Sequence, residues 1–483
     1  MIMYKQKAWS LDELFLGFDD PAIETTIEEM NALVVEIEAF RPKLTPTISP
    51  ENLSVITTLM QKLTTAFYRL GGFASLSFSS DTRDQQAQIL MARVGQLSAD
   101  LQNRTLFFSL WWKELDEQNA ARLLKTAGDQ AYWLTKLRHD KPFTLTEAEE
   151  KIINLKDVNG VTILRQLYTS ITSRFTYKLE IDGVEQELSR AQLSTYNRSP
   201  DPDLRKAAYQ ELLRVYEKES PILGQIYQGL MRDWHSEYVT LRGNASPMSV
   251  RNRGNDIPDE VVNTLLQVVR KNAAIFHRFF ALKAKWLGVE KLRRYDVYAP
   301  ITQAEKKYPF GEAVSLVLDS FSDFEPRIAA LAKRVFEDNH YDSEDRKGKR
   351  GGAFCSTLGP DLTPWVLQSF NGEPRDVSTM AHELGHAIHS MLAEHHTIIN
   401  QHPSLPLAET ASTFGEMLLL DKLLATDPDP ALQRDLLFSN MDGAYATIMR
   451  QAYFAIFEIE AHTAIQKDAS IDDLSALHIK ILR

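Results

Sequence analysis

Two histidines and a glutamate lie within five consecutive residues of this chain, in the order His382-Glu383-Leu384-Gly385-His386. Histidines four residues apart lie on one face of a helix, one turn from each other, so both imidazoles can bind one zinc ion. A glutamate beside them can accept a proton from the water that attacks a substrate. The motif therefore predicts His382 and His386 as metal ligands and Glu383 as a catalytic general base.

The residues around this motif predict the helix that carries it. Asp376 follows Pro374 and is a residue type that caps helix N-termini. His389 lies on the same side as the two motif histidines and is a candidate for contact with a metal ligand or a substrate. Apolar residues recur at helical spacing on another face and predict one buried stripe, formed by Val377, Met380, Ala381, Leu384, Ile388 and Met391.

Zinc in hydrolases usually takes three protein ligands and leaves a fourth position for water. The metzincin pattern would place Gly at position 389 and His at 392, where this chain has His389 and Leu392. A second predicted helix, which begins near Pro406, carries Glu409 and Glu416 on one face. A carboxylate on such an apolar helix is costly to bury without a partner. We therefore predict Glu409 as the third ligand and Glu416 as the partner that orients a ligating histidine, with a solvated carboxylate as the alternative for Glu416.

Most of the remaining chain is predicted to be helical. The strongest apolar periodicity falls in residues 97–112, 120–137, 203–241 and 259–287. Alternation over residues 175–181, followed by Asp182-Gly183, predicts a β-hairpin. A second pair of strands is predicted at residues 353–357 and 365–370.

Residues 382–390 (H-E-L-G-H-A-I-H-S) and 408–413 (A-E-T-A-S-T) resemble the zinc site of the thimet oligopeptidase and oligoendopeptidase F family of zinc metallopeptidases. The similarity is closest to the bacterial oligoendopeptidase F branch, and it includes residues 294–300, 347–356 and 450–458. The resemblance implies an all-α dominated fold, a two-lobed helical metallopeptidase with a deep substrate channel and a small β element beside the active-site helix. It also implies one Zn²⁺ per chain and short peptides as substrates.

The resemblance also implies substrate contacts and a domain division. Gly352, in a glycine-rich run, and Trp365, on the second strand of the pair that would lie beside the substrate, are candidates for substrate contact. A helical N-terminal region is expected over residues 1–199, with its core at about 112–185, and a zinc metallopeptidase catalytic domain over 200–483.

Family members continue past the point at which this chain stops, in a segment whose histidine and tyrosines stabilise the oxyanion. The catalytic domain is therefore expected to be C-terminally incomplete, and the loss of such donors slows catalysis. Two alternatives to a zinc endopeptidase remain. One is a zinc aminopeptidase, although the chain has no Gly-Ala-Met-Glu-Asn run. The other is a truncated fragment that binds metal and peptide with little turnover.

Composition indicates where such a protein would work. The 483 residues are 44% hydrophobic and 25% charged, which is ordinary for a globular protein. The net charge of −11 disfavours nucleic acid and anionic membranes as partners, and no apolar stretch is long enough to span a bilayer. Cys355 is the only cysteine, as expected for a cytoplasmic protein without disulfides. The basic run at residues 346–350 is expected to be a solvated loop, and a homo-oligomer is left open.

Overall fold

Helices with two small sheets make up this protein in the computed structural model, which describes residues 4–172, 174–301, 307–426 and 428–482. The predicted all-α dominated fold with a small β element is thereby confirmed. The residues group into two compact units. The first unit comprises Met1–Asn154 and Lys306–Leu423, and the second unit comprises Leu155–Glu305 and Leu424–Arg483.

In chain order the helices are α1 (Pro21–Glu38), α2 (Pro50–Ser80), α3 (Gln85–Glu114), α4 (Glu117–Leu124), α5 (Ala131–His139), α6 (Glu147–Asn159), α7 (Val161–Thr172), α8 (Arg190–Thr195), α9 (Pro202–Trp234), α10 (Pro247–Gly254), α11 (Asp259–Lys271), α12 (Ala273–Trp286), α13 (Phe310–Phe324), α14 (Pro326–Glu337), α15 (Pro374–Leu392), α16 (Leu405–Thr426), α17 (Pro430–Ala444), α18 (Gln451–Ile465) and α19 (Ile471–Leu482). The strands are β1 (Tyr177–Ile181), β2 (Val184–Leu188), β3 (Tyr341–Asp342), β4 (Ala353–Ser356) and β5 (Trp365–Gln368). Two π-helical stretches, His235–Leu241 and Tyr445–Arg450, continue α9 and α17.

The first unit is built around one hydrophobic core. The helices α1, α2 and α3 pack against one another, because each repeats apolar residues at helical spacing after a capping side chain. The caps are Asp20, Ser49 and Asp84. Trp112 and Trp365 are fully buried in this core. The core therefore joins the N-terminal helices to the sheet that packs against α15.

The sheet of the first unit has the strand order β3–β5–β4. The middle strand β5 pairs in parallel with β3 and antiparallel with β4, where Ala353 lies opposite Gln368. The two strands predicted at residues 353–357 and 365–370 are confirmed, whereas the sequence did not predict the short β3. The placement of the second strand beside the substrate stays a prediction, but β5 has strands on both edges and so offers no free edge to a peptide. In the described part of this sheet, β4 is the member of the pair with a free edge.

The second unit is organised by the long helix α9, which packs against α7, β1 and α18. The hairpin of β1 and β2 pairs Tyr177 with Leu188 and turns at Asp182 and Gly183. Their φ angles of 51° and 77° are those of a type I′ turn, which matches the twist of the two strands. The predicted hairpin is therefore confirmed, and its buried side chains pack with those of α9.

Some predicted helices are divided or extended. Residues 120–137 divide into α4 and α5, because Gly128 takes a left-handed φ of 54° that no α-helix contains. Residues 259–287 divide into α11 and α12 at Asn272, which caps the end of the first and the start of the second. Residues 203–241 form α9 and its π-helical continuation. Apolar periodicity alone does not reveal such short interruptions.

The two compact units do not follow the predicted regions 1–199 and 200–483, since each unit combines two separate segments. That division, and the deep channel, stay predictions. No helix in the described ranges combines the length and the hydrophobicity that crossing a lipid bilayer requires. Cys355 is a free cysteine.

Candidate active site

The site helix α15 begins earlier than the sequence suggests. Glu373 is its N-cap residue and Pro374 its first helical residue, where the fixed φ of proline suits a helix. The prediction that Asp376 is the cap is therefore wrong. Asp376 lies in the first turn, and its carboxylate accepts backbone N–H groups of Asn371 and Glu373 at 2.7 and 3.1 Å. All six residues of the predicted apolar stripe are buried, so the orientation of the helix is as predicted.

His382, His386 and Glu409 converge on one point in the first unit. Oε2 of Glu409 lies 3.3 Å from Nε2 of His382 and 3.6 Å from Nε2 of His386. The two imidazole rings are 4.8 Å apart and nearly perpendicular. Ligands placed tetrahedrally at about 2.1 Å from a zinc ion lie about 3.4 Å from one another. The three side chains therefore suit a zinc ion, and they leave a fourth direction for water.

Neighbouring side chains orient these groups. Nδ1 of His382 donates to a carboxylate oxygen of Glu416 at 2.6 Å, so Nε2 remains available to a metal. Ser378 donates to the other carboxylate oxygen of Glu416 at 3.2 Å. The buried hydroxyl of Ser412 lies 2.8 Å from Oε2 of Glu409. Glu416 lies where the sequence predicts a histidine partner, whereas sequence reasoning missed Ser412 because an isolated hydroxyl forms no motif.

Two glycines let α15 and α16 approach closely. A Cβ atom on Gly385 would lie 2.6 Å from the carbonyl oxygen of Ala411 and 2.7 Å from Cα of Ser412. A Cβ atom on Gly415 would lie 2.7 Å from the carbonyl oxygen of Ala381. Real Cβ atoms essentially never approach so closely, so neither position accepts a side chain unless the backbone moves. The close approach brings the carboxylates of α16 within reach of the histidines of α15.

Glu383 is buried beside these ligands, with 6% of its surface exposed. Burial raises the pKa of its carboxyl group to about 7, although the positive charge of His382 and a hydrogen bond from the backbone N–H of Cys355 oppose the rise. Burial and the nearby Glu383 also raise the pKa of the Cys355 thiol well above its usual range. Strand β4 therefore contacts the Glu383 carboxylate through the backbone N–H of Cys355. A carboxyl group with a pKa near neutrality can both accept and return a proton.

The pKa values of the two histidines are shifted in opposite directions. Burial lowers the pKa of His382, but its hydrogen bond to Glu416 and the other nearby carboxylates outweigh burial and raise the pKa. Burial and the positive charge of His382 lower the pKa of His386. The lowered pKa of His386 favours the neutral imidazole, which offers the lone pair that a metal requires.

The three other candidate residues have different surroundings. His389 is half-buried one turn beyond His386, and its charge contributes to the lowered pKa of His386, to which burial contributes most. Gly352 is exposed immediately before β4 and takes a φ of 89° that suits glycine. Trp365 is fully buried, and its Nε1 donates to the carbonyl oxygen of Ser10 at 2.8 Å. The side chain of Trp365 offers no surface to a substrate, which removes it from the candidate contacts.

Asp129 holds the connection between α15 and α16. Its carboxylate accepts Nδ1–H of His396 at 2.7 Å and both the backbone N–H and the hydroxyl of Thr397 at 2.8 Å. The carbonyl oxygen of Asp129 also accepts the side-chain amide of Asn400. Burial raises the pKa of Asp129, but these hydrogen bonds outweigh it and lower the pKa. No sequence pattern predicts this contact, because Asp129 and His396 are 267 residues apart.

The basic run before β4 turns inward at Lys349. The ammonium group of Lys349 lies 2.8 Å from the buried carboxylate of Asp342. It also donates to the carbonyl oxygens of Asp342, Glu344 and Gln368 at 3.1, 2.7 and 2.9 Å. Only 1% of the Lys349 side chain is exposed. The prediction of a solvated loop is therefore wrong at this residue, because a buried carboxylate requires a partner.

Comparison with known proteins now identifies the family. The sequence model of peptidase family M3 matches residues 195–482, which is more than half of the chain. The chain belongs to peptidase family M3. This M3 chain is 26% identical over 467 residues to group B oligopeptidase PepB of Streptococcus agalactiae, covering 95% of this chain and 76% of PepB. It is 23% identical over 472 residues to oligopeptidase PepF of Bacillus subtilis, covering 96% of this chain and 69% of PepF.

Solved structures share the fold of this M3 chain. PZ peptidase A, solved with an inhibitor, has a TM-score of 0.77 at 17% identity and covers 94% of this chain and 78% of its own. Oligoendopeptidase F of Enterococcus faecium has a TM-score of 0.67 at 20% identity and covers 95% of this chain and 80% of its own. The predicted kinship with the oligoendopeptidase F branch is confirmed, and the chain is a metallopeptidase of a family of zinc peptidases.

Proposed function

We propose that this M3 chain hydrolyses internal bonds of short peptides, with His382, His386 and Glu409 holding one zinc ion and Glu383 serving as general base. The observation that carries the proposal is the convergence of three ligand atoms beside a buried glutamate. Relatives named oligopeptidase and oligoendopeptidase F support short peptides as the substrate class.

Each residue of the site has a separate task in this mechanism. A zinc ion would polarise the scissile carbonyl group and make the attacking water more acidic. Glu383 accepts the proton of that water and returns it to the leaving amine. Glu416 keeps Nδ1–H of His382 engaged, so that Nε2 stays directed toward the metal. The backbone N–H of Cys355 orients the carboxylate of Glu383 toward the reacting water.

Metal analysis combined with a peptide assay tests the proposal. The purified chain should hold about one zinc ion, and His382→Ala should abolish stoichiometric binding. Glu383→Gln should retain zinc while hydrolysis of an internally quenched peptide, blocked at both ends, falls by about 100–10,000-fold. Glu394→Gln is the matched control, because it removes an exposed carboxylate just beyond α15 and should leave both properties unchanged.

The blocked ends distinguish the alternatives, because an aminopeptidase requires a free N-terminal amine. Cleavage restricted to peptides with a free amine would replace the proposal with an aminopeptidase. Binding of zinc and peptide without any cleavage by the wild-type chain would indicate a binding protein. Full activity in Glu383→Gln would remove Glu383 from the mechanism.

A further inference from the structure

A π-helical stretch in the second unit, Tyr445–Arg450, separates α17 from α18. Its i→i+5 hydrogen bonding places residues five apart one above the other, so Tyr445 and Arg450 share one side of the helix. In a regular α-helix they would point about 140° away from each other. Such π-helical turns are rare and occur frequently at functional sites. This turn therefore brings a tyrosine and an arginine together on one surface.

Two arginines next to this turn lack acidic partners. Nη1 of Arg450 donates to the hydroxyl oxygen of Tyr298 at 3.1 Å, while its Nε is buried without a hydrogen-bond partner. Burial raises the pKa of Tyr445, and the charges of Arg294 and Arg450 oppose that rise. Within the described ranges neither arginine forms an ion pair with a carboxylate. Arg294 lies four residues before Tyr298, the hydrogen-bond partner of Arg450, so two positive charges without a carboxylate partner occur in this region of a chain of net charge −11.

Aromatic rings lie beside Tyr445 and Arg450. The ring of Tyr445 packs edge-on against Phe280 at 4.8 Å and against Phe276 at 5.8 Å between centroids. The guanidinium of Arg450 lies 5.4 Å from the ring centroid of Phe454. Apolar walls exclude water, which strengthens a hydrogen bond between charged groups. An anion bound here would neutralise the arginines, and the rings would contact its carbon skeleton.

We propose that Arg294 and Arg450, with the hydroxyl groups of Tyr298 and Tyr445, bind a carboxylate group of a peptide. A guanidinium group presents a planar fork of N–H donors that matches a carboxylate. Tyr298 accepts a hydrogen bond from Arg450 and therefore retains its own O–H as a donor. The carboxylate belongs to the free C-terminus of a peptide or to an acidic side chain. The peptide nature of the ligand rests on the proposed function.

Peptide binding measured by fluorescence anisotropy tests this site. The probes are one labelled short peptide without acidic residues as the free acid, the same peptide as the C-terminal amide, and the amide with one glutamate introduced. Zinc-loaded protein carrying Glu383→Gln serves as the parent, so that the peptides stay intact. The free acid should bind at least about tenfold more tightly than the plain amide, as hydrogen bonds between charged groups do. Arg294→Gln and Arg450→Gln should each remove this preference, whereas the exposed control Arg270→Gln in α11 should keep it.

Every outcome bears on the proposal. Arg294 is exposed, so Arg294→Gln keeps the test valid if Arg450→Gln fails to fold. Tight binding of the free acid alone would show that the site binds peptide C-termini. Tight binding of the glutamate-containing amide would show that the site binds acidic side chains. Either result supports the proposal. Equal affinity for all three peptides, no measurable binding, or a preference that survives both substitutions would overturn it. If the chain prefers a peptide with a carboxylate but hydrolyses no peptide, the carboxylate site is supported and the proposed function is rejected. If the chain hydrolyses peptides but shows no such preference, the proposed function is supported and the carboxylate site is rejected.

Discussion

Replacing Gly385 by alanine should separate the two helices that carry the candidate ligands. The new Cβ atom would lie 2.6 Å from the carbonyl oxygen of Ala411, whereas ordinary contacts begin at 3.4 Å. The helices must therefore move apart by about 0.8 Å, the difference between these distances. Metal–ligand distances tolerate only about 0.2 Å, so Glu409 would leave the histidines and zinc affinity should fall by at least about tenfold. Overpacking should lower the free energy of unfolding by about 1–3 kcal/mol, offset by about 1 kcal/mol from the better helix propensity of alanine.

Gly95→Ala is the matched control for this substitution. Gly95 lies within α3 and has nothing within 4 Å of an added Cβ atom, so alanine there should stabilise the chain by about 0.5–1 kcal/mol. Zinc affinity is measured by competition with a chelating dye, and stability by urea unfolding of the metal-free chains. If Gly385→Ala bound zinc as tightly as the wild-type chain, the close contact of α15 and α16 would not determine ligand placement. Equal effects of both alanines on stability would refute the packing argument.

Three further predictions concern other parts of the chain. Asp129→Ala should loosen the connection between α15 and α16 and weaken zinc binding by about tenfold in the same dye competition. Unchanged affinity would show that the connection needs no anchor. Lys283→Met should lower the free energy of unfolding by about 3–5 kcal/mol, because it leaves the carboxylate of Asp442, 2.6 Å from Lys283, buried without a partner. Adding Asp442→Leu should restore most of that loss in urea unfolding, and no recovery would contradict the explanation. Burial lowers the pKa of His340 below 6.5, so as the pH falls through 6.5 the unfolded chain binds a proton that the folded chain resists, and the free energy of unfolding should decrease. The decrease should be smaller in His340→Gln, and an identical pH dependence would argue against this assignment.

The candidate ligands could be predicted because their placement depends on local helix geometry. His382 and His386 share a face through their spacing alone, and Glu409 and Glu416 do so on the next helix. An apolar stripe then determines which face each helix buries, and the structure brings these four side chains together. Because α15 and α16 follow each other in the chain, few packing arrangements are available to the faces that carry these side chains.

Other features depend on contacts between distant parts of the chain and could not be predicted. The closeness of α15 and α16 follows from Gly385 and Gly415, and the H-E-x-x-H pattern requires a glycine at neither position. Trp365 is buried in a core shared with the N-terminal helices, and its Nε1 donates to the carbonyl oxygen of Ser10, 355 residues away. Asp129 lies 267 residues before the histidine that it binds. Each of these contacts becomes favourable only after the rest of the first unit has formed.

The inward turn of Lys349 has a consequence for proteolysis. A protease binds its target as an exposed, unpaired segment, so cleavage after Lys349 requires this side chain first to leave Asp342 and three carbonyl oxygens. When opening is fast relative to cleavage, the rate of such a cut follows the population of the opened segment. The segment leads directly into β4, whose Cys355 N–H binds Glu383. Cleavage by trypsin after Lys349 therefore detects molecules in which the segment leading into β4, the strand next to Glu383, has unfolded locally.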